Sequence, residues 1–367
     1  MNKKLLIIFS FLLIILLSLT ASAEVEIGGE VGVDSSVIFN NNQSEFYLTE
    51  NLKIKLFIPQ TKSAEVKVDF ELRNNQFGTN TTFKKLYIKR GYNNFNISLG
   101  RQPVSWSFGS LINPVDFNFG AEIMDQSQSA KYIDAAKIYV PVNWKSGVEI
   151  VANPQLEIID PESKKLNFKG TKTGIRARTM INNYDLSLNY INDPLDINRK
   201  NKIGLSLKGD LGPLGLYSAV SYEKSTKQTI EDENIYLLGL DYSKTINYDQ
   251  RVYLQGEVIN LSSIKLKEFA TTLLQADISD NLELDEKRYN LLAGNISYSI
   301  NNFSSVNLFL LGNINDSSFA LTPQYKNQLP GNIDLTISSI LATSKNKDFF
   351  NQENVPLSIN FNLSYSF

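Results

Sequence analysis

The ionisable side chains limit the chemistry available to this chain of 367 residues. The sequence contains no His and no Cys. It therefore has no imidazole to act as a general base or metal ligand and no thiol nucleophile, which excludes Ser–His hydrolysis and Asp–His proteolysis. The Gly-x-Ser-x-Gly and phosphate-binding loop motifs are also absent. We predict that the protein is not an enzyme and has no cofactor and no metal site.

A group of carboxylates in segment 260–287 is a candidate for cation binding. Its members are Asp277, Asp280, Glu283, Asp285 and Glu286. Carboxylate oxygens are suitable ligands for Ca²⁺, but the Gly-containing twelve-residue calcium loop is missing. We therefore favour the interpretation that this segment is a solvated acidic loop.

Segment 102–130 is a second candidate, because it is unusually apolar for a connection. Its large apolar residues are Trp106, Phe108, Leu111, Phe117 and Phe119. Long loops with such content are often functional. The segment could fold back into the structure formed by the strands and constrict it, with Asp116, Glu122 and Asp125 facing basic residues. It could also lie outside, packed on its neighbours, and we favour the inward placement.

Alternation of apolar and polar residues dominates the rest of the chain. In the last segment, apolar side chains occupy every second position from Leu357 to Phe367, with Ser or Asn between them. This is the pattern of strands, whose successive side chains point to opposite faces. It predicts strands near 25–38, 45–58, 64–74, 82–91, 95–101, 131–141, 145–153, 172–182, 184–192, 201–209, 214–224, 234–245, 248–259, 288–299, 303–313, 317–326, 332–342 and 357–367.

Short and long connections alternate between these strands. Turn residues typical of tight hairpins fill the short ones, at Asn93-Asn94, Asn182-Asn183, Asn247, Asn301-Asn302 and Pro330-Gly331. The long ones span 102–130, 154–171, 193–200, 225–233, 260–287 and 343–356. Outer-membrane barrels have short periplasmic turns and longer external loops. The predicted fold class is therefore all-β, a transmembrane antiparallel up-and-down β-barrel of 18 strands, with 16 or 14 strands as alternatives.

Aromatic residues cluster beside the short turns. Amphipathic rings are typical of a membrane–water interface, although Tyr and Phe also favour strands in general. Because the cluster is at one end of the strands, we predict an interfacial girdle formed by Tyr92, Phe95, Trp144, Tyr184, Tyr248, Phe303 and Phe367.

Closing the sheet into a barrel pairs every backbone N–H and C=O group in lipid, and 16 to 18 strands enclose an aqueous channel. Strand parity assigns the strand charges to the lumen, and this placement also avoids charges that face lipid, which would be destabilising. An excess of cations there would favour anions. The alternative, which we favour, is that charges of both signs merely solvate the lumen wall and give the channel no charge selectivity. The assigned residues are Lys53, Lys55, Lys67, Asp69, Glu71, Arg73, Lys85, Lys89, Arg101, Arg176 and Arg178, with Glu257 as a further candidate.

The N-terminal segment predicts export. A basic start, Asn2-Lys3-Lys4, precedes an apolar run over 5–19 and the small residues Ala21-Ser22-Ala23. This is the pattern of a secretory signal peptide cleaved after Ala23, and the run is shorter than a membrane anchor. We expect residues 1–23 to be a signal peptide and 24–367 a barrel in the bacterial outer membrane. The net charge of −2, with cations spread along the chain, does not suggest nucleic-acid binding.

A local motif resembles one found in substrate-specific porins and alginate-export-like channels. The sequence GRQPVSWSFG at 100–109, followed by NPVDF at 113–117, is similar to their Gly-Arg-Gln…Trp-x-x-Gly…Pro-x-Asp stretch. The whole mature chain resembles an outer-membrane porin barrel, and terminal Phe367 resembles the signal read by the barrel assembly machinery. The resemblance implies a homotrimer.

These features together predict a porin, a passive channel for small hydrophilic solutes, either anionic or carbohydrate. Arg101 and the loop from Trp106 to Asp125 would set its constriction. Outer-membrane lipid, the solutes and the assembly machinery would be its partners. Two alternatives stay open: a structural or adhesive barrel whose long loops bind envelope components or external ligands, and a soluble periplasmic β-sandwich.

Overall fold

The computed structural model describes residues 25–40, 43–58, 64–106, 113–118, 131–154, 157–160, 165–167, 170–227, 231–267, 288–315, 317–343 and 357–367. The predicted signal peptide, Glu122, Asp125 and the carboxylates between 277 and 286 lie outside these ranges. Within them, no helix has the length and apolar character needed to cross a membrane.

Eighteen strands form one antiparallel sheet that closes on itself. They are β1 (Glu26–Asn40), β2 (Gln43–Phe57), β3 (Ala64–Asn75), β4 (Gly78–Gly91), β5 (Asn96–Val104), β6 (Lys131–Pro141), β7 (Ser146–Asn153), β10 (Lys172–Ile181), β11 (Tyr184–Asn192), β12 (Asn201–Leu211), β13 (Leu214–Lys224), β14 (Glu233–Thr245), β15 (Arg251–Ser262), β16 (Arg288–Ser299), β17 (Ser304–Asn313), β18 (Ser318–Leu329), β19 (Ile333–Thr343) and β20 (Leu357–Ser366).

Two short elements accompany the barrel. Between β7 and β10, β8 (Glu157–Asp160) and β9 (Lys165–Asn167) pair as a separate hairpin. Residues 263–267 form a single helical turn after β15.

Each barrel strand pairs with its neighbours in chain order, β7 pairs with β10, and β20 pairs with β1. The predicted 18-stranded up-and-down barrel is therefore confirmed. The 16- and 14-stranded alternatives and the two-sheet sandwich are wrong, because one sheet closes on itself without a free edge.

The two ends of the barrel differ in their connections. One end, here called the turn end, carries 92–95, 142–145, 182–183, 212–213, 246–250, 300–303 and 330–332. At this end Asn182 and Asn332 adopt φ values of 53° and 59°, the left-handed region that Asn tolerates in tight turns. The opposite end, here called the loop end, carries the connections between β5 and β6, between β7 and β10, and between β15 and β16.

Successive side chains of each strand point alternately outward and inward, which gives the barrel wall an apolar outer face and a polar inner face. On β20, Phe361, Leu363 and Tyr365 point outward and are exposed, whereas Ser358 and Ser364 point inward and are buried. The strand register continues the apolar outer face around the barrel, whereas the inner face of β13 to β18 also carries a cluster of buried apolar side chains. Such a continuous apolar exterior suits lipid and would be costly in water.

A β-bulge between β3 and β4 interrupts this alternation. The register shifts between Asp69 and Phe70, which leaves one extra residue on β4. As a result two consecutive residues reach inner-face carboxylates: Lys84 Nζ lies 2.9 Å from Glu71, and Lys85 Nζ lies 3.7 Å from Asp69.

The barrel closes where Phe367 meets β1. Gly29 and Phe367 exchange backbone hydrogen bonds of 2.9 and 3.0 Å. A Cβ atom at residue 29 would lie 2.3 Å from the Lys53 carbonyl oxygen and 2.8 Å from the Phe367 ring. Glycine is required at this position because the two neighbouring strands approach it so closely.

Candidate channel interior

The inner wall of β4 to β10 is strongly basic. Its only described inner-facing carboxylate is Glu149 on β7. We call its cations the basic strip: Lys84, Lys85, Lys89, Lys137, Lys172, Arg176 and Arg178. The wall of β1 to β3 instead mixes both signs, as in the ion pair of Lys53 with Glu30 at 3.0 Å.

Most members of the basic strip have a carboxylate partner. Lys172 lies 3.2 Å from Asp193, and the Arg178 guanidinium pairs with Asp185 on the adjacent strand. Lys89 and Lys137 make no ion pair with any described residue. Both line a cavity of about 220 Å³ on the inner wall, together with Tyr87, Tyr139 and Glu149, the one carboxylate among its lining residues. These two ammonium groups are therefore available to a solute in the lumen.

The connection after β5 folds into the barrel in its described part. Asn113, Val115, Asp116 and Phe117 are all buried. Val115 packs in an apolar cluster with inner-facing residues of β13 to β18, and Trp106 and Phe117 pack with Val151 of β7 and Ile191 of β11. We call residues 113–118 the inserted segment.

Polar contacts with three strands fix the inserted segment. Asn189 Nδ2 on β11 donates to the Val115 carbonyl at 3.1 Å, and Lys202 Nζ on β12 donates to the Asp116 carbonyl at 2.9 Å. Lys172 Nζ on β10 donates to Asn118 Oδ1 at 3.1 Å and lies 5.0 Å from the centre of the Phe117 ring. Cations of the wall therefore hold the segment as well as lining the lumen.

Asp116 organises the segment internally. Its Oδ1 atom accepts the backbone N–H groups of Trp106 at 2.6 Å and Phe117 at 2.9 Å. Burial raises the pKa of this carboxyl group, and the two N–H donors and nearby Lys202 partly oppose the shift. The Trp106 indole N–H in turn donates to Glu149 Oε1 at 2.6 Å, so that Glu149 positions the ring.

Two glycines on the wall make room for the segment. A Cβ atom on Gly174 of β10 would lie 2.6 Å from Trp106 and 2.9 Å from Phe117. A Cβ atom on Gly204 of β12 would lie 2.6 Å from Val115. The inserted segment therefore fits a groove that these two strands provide by lacking side chains there.

The strand register places most of the predicted lumen residues on the inner face. These are Lys53, Lys55, Lys67, Asp69, Glu71, Arg73, Lys85, Lys89, Arg176, Arg178 and Glu257. Trp106 and Asp116 come together beside the basic strip, as the inward placement of their loop requires. Glu257 is buried and accepts a hydrogen bond of 2.6 Å from the Tyr217 hydroxyl.

The assignment of Arg101 to the lumen is wrong. Arg101 is paired in register with Leu86 and Asp134 and shares the outer face with Leu99. Its guanidinium lies 3.1 Å from the Asp134 carboxylate. Arg101 has the same parity as Leu99 on β5, so the alternation of the strand itself places it outward, and the ion pair with Asp134 meets its charge.

Sequence reasoning missed several inner-facing charges. Lys137, Glu149, Lys172 and Lys202 occupy the polar positions of their strands, so a parity count of every strand would have found them. Lys84 could not be found in this way, because the bulge reverses parity at that point.

The start of segment 260–287 also differs from the expected solvated loop. Leu266 is fully buried in the apolar cluster of the inner wall, and Lys265 Nζ forms a buried ion pair of 2.9 Å with Glu223. This helical turn therefore packs inward at the loop end.

The predicted interfacial aromatics lie at the turn end. The rings of Tyr92 and Phe95 stack with centroids 4.7 Å apart. Trp144 and Tyr248 are 87% and 96% exposed, and Tyr184, Phe303 and Phe367 are also exposed.

Known proteins that are similar to this chain share its fold. No family model matches the sequence, and no curated protein is similar to it in sequence. Among solved structures, OccAB1 of Acinetobacter baumannii is 8% identical with a TM-score of 0.58 and covers 95% of this chain and 97% of its own. OccK11 (OpdR) of Pseudomonas aeruginosa is 10% identical with a TM-score of 0.56, covering 94% and 96%.

A third similar structure is an anion-selective porin from Comamonas acidovorans. It is 13% identical with a TM-score of 0.50 and covers 94% of this chain and 100% of its own. At such identities the likeness shows the fold, which is that of an outer-membrane β-barrel porin.

Proposed function

We propose that this protein is an outer-membrane porin, a passive diffusion channel for small hydrophilic solutes with a preference for anions. The basic strip beside the inserted segment is the observation that carries the proposal. The likeness to porin structures supports a channel located in the outer membrane. Export by the signal peptide predicted at 1–23, contact with outer-membrane lipid and delivery by the barrel assembly machinery belong to the same proposal.

The proposed preference for anions is argued from the part of the lumen wall where positive charges are not balanced by ion pairs. Lys89 and Lys137 lack ionic partners among the described residues, whereas the cations of β1 to β3 lie among carboxylates. A low-dielectric wall lined by one sign of charge concentrates the opposite ion. Mixed charge alone would leave no preference, and a neutral carbohydrate would gain little from unpaired ammonium groups. We therefore favour the anionic class over the carbohydrate class.

Reconstitution in a planar bilayer tests both parts of the proposal. We expect discrete conductance steps, and under a KCl gradient a reversal potential whose sign shows chloride to be more permeant than potassium. Steps with cation preference would overturn the anion preference but leave the channel. Absence of steps from correctly folded barrels would overturn the channel and favour the structural or adhesive alternative.

A further inference from the structure

The helical turn at 263–267 is held at the loop end by a buried carboxylate. Lys265 Nζ lies 2.9 Å from Glu223 Oε2, and both side chains are almost completely buried. Leu266 of the same turn is fully buried in the apolar cluster that includes Val115 of the inserted segment. The helical turn and the inserted segment therefore share one apolar core, although they are far apart in sequence.

Glu223 also connects the helical turn to the inserted segment through the strand wall. On the inner face, Glu223 of β13 is paired in register with Lys202 of β12. Residues paired in this way have Cβ atoms about 5 Å apart. Lys202 Nζ in turn donates to the Asp116 carbonyl at 2.9 Å. A path of polar groups thus runs from Lys265 through Glu223 and Lys202 to the backbone of the inserted segment.

A second carboxylate, Glu233 of β14, holds the base of the same turn. Glu233 is 1% exposed and is paired in register with Glu223, and we call these two residues the acid pair. Its Oε1 atom accepts the backbone N–H of Ser262 at 3.1 Å, and Arg199 Nη2 lies 3.7 Å from its Oε2 atom. Because like charges directly opposite on a sheet repel each other, the acid pair depends on cations such as Lys265.

We propose that the acid pair couples the helical turn to the inserted segment, so that the two are seated or released together as one unit. Releasing the turn removes Lys265 from the acid pair and Leu266 from the shared core. Releasing the segment removes Val115 from that core and the Asp116 carbonyl from Lys202. Either loss weakens contacts that the other element needs, which makes seating cooperative. The coupling does not depend on the proposed channel function, on which only the expected change in conductance rests.

Trp106 emission tests the coupling from the side of the turn, because Trp106 and the turn belong to different apolar clusters. In a W144F background we expect L266A to shift Trp106 emission to the red and to increase its quenching by acrylamide several-fold. I264A is the matched control, since the Ile264 side chain in the same turn is 42% exposed, and it should leave Trp106 unchanged. An unchanged Trp106 in L266A barrels of normal heat-modifiable gel migration would overturn the proposal.

Coupling between two elements is reciprocal, so the turn must also respond to the inserted segment. A nitroxide label at I264C reports motion of the turn and is specific, because the chain has no Cys of its own. We expect G174A, whose methyl group would overlap Trp106 and Phe117, to make the label more mobile. G256A, whose methyl group would meet nothing within 4 Å, should not. A label that stays immobile in G174A although Trp106 is displaced would overturn the coupling.

The E223Q variant tests the acid pair itself, because Gln keeps the shape of Glu but cannot balance Lys265. We expect this single change to shift Trp106 emission and to mobilise the I264C label. The matched control is E30Q on β1, which removes an inner-face carboxylate from a different ion pair, that of Glu30 with Lys53. Equal behaviour of E223Q and E30Q in both measurements would show that the acid pair does not carry the coupling.

Conductance of the same variants separates the coupling from the proposed function. We expect L266A and E223Q to raise the unit conductance of a channel that this unit constricts. Responses of Trp106 and of the label without any change in conductance would confirm the coupling and show that the unit does not set the width of the pore.

Discussion

At the scale of single residues, Lys89 and Lys137 are the side chains best placed to act on a solute. They line one inner-wall cavity from β4 and β6, which Glu149 also lines, and neither of them forms an ion pair with a described residue. We expect the K89Q/K137Q double variant to lose most of the preference for chloride, because local anion enrichment depends on this charge. The reversal potential under a KCl gradient should move toward zero.

The matched control for that experiment is K244Q, which removes a cation from the outer face near the turn end. We expect its reversal potential to equal that of the parent protein. A double lumen variant that keeps the full anion preference would show that selectivity arises elsewhere on the wall.

Asp116 determines how the inserted segment responds to pH. Burial raises the pKa of its carboxyl group in the folded state. A raised folded-state pKa means that protonation favours the seated segment, so its stability should rise as the pH falls toward that pKa. We expect mild acid to leave the segment in place. Trp106 fluorescence in a W144F background reports this, because Trp106 is buried and Trp144 is the only other tryptophan.

The D116N and D116A variants separate charge from hydrogen bonding. The Asn amide oxygen can still accept the two backbone N–H groups, so D116N should keep the emission of buried Trp106. D116A leaves both donors unpaired, at about 1–3 kcal/mol for each buried group, and should shift the emission to the red. A red shift of the parent protein on acidification would contradict the assigned direction.

At the scale of elements, the fit between β10 and the inserted segment depends on the absence of a side chain at Gly174. Its Cβ position would overlap the buried rings of Trp106 and Phe117. We expect G174A to destabilise the seated segment by about 1–3 kcal/mol, the usual cost of overpacking. Trp106 emission should shift to the red and conductance should rise as the constriction loosens.

Gly256 of β15 is the matched control for Gly174, since a Cβ atom there would meet nothing within 4 Å. G256A should leave Trp106 emission and conductance unchanged. If G174A behaves in the same way, the inserted segment is not held by this packing.

The strands were predictable because a wall with one apolar and one polar face requires apolar and polar residues to alternate along each strand. The last strand and the Asn-rich turns identified the barrel and its two ends without any long-range information. The bulge, where local geometry departs from that alternation, brings Lys84 inward, and the ion pair with Asp134 lets Arg101 stay outward. The space that Gly174 and Gly204 leave for the inserted segment depends on contacts between segments distant in sequence, and these cannot be predicted from a single sequence.

At the scale of the whole molecule, closure depends on Gly29. Its missing side chain lets β1 lie against Lys53 on one side and Phe367 on the other. We expect G29A to lower the temperature at which the barrel loses its compact gel migration, because a methyl group 2.3 Å from a backbone oxygen must displace a strand. G294A, whose new methyl group would have 3.7 Å to its nearest neighbour, should melt close to the parent. Equal melting of the two variants would show that closure tolerates the shift.

The seam between β1 and β20 also has a consequence for timing. All the remaining pairs of neighbouring strands are joined by connections of modest length. The first and last strands, in contrast, are separated in sequence by almost the whole chain. Contacts between residues so far apart in sequence are slow to form, because the chain loses the entropy of loop closure before the contacts stabilise it. Until that meeting occurs, the growing sheet has two exposed edges that could pair with other chains. Assembly of this protein should therefore be limited by its final pairing step, and partially zipped sheets should be the species most prone to aggregate.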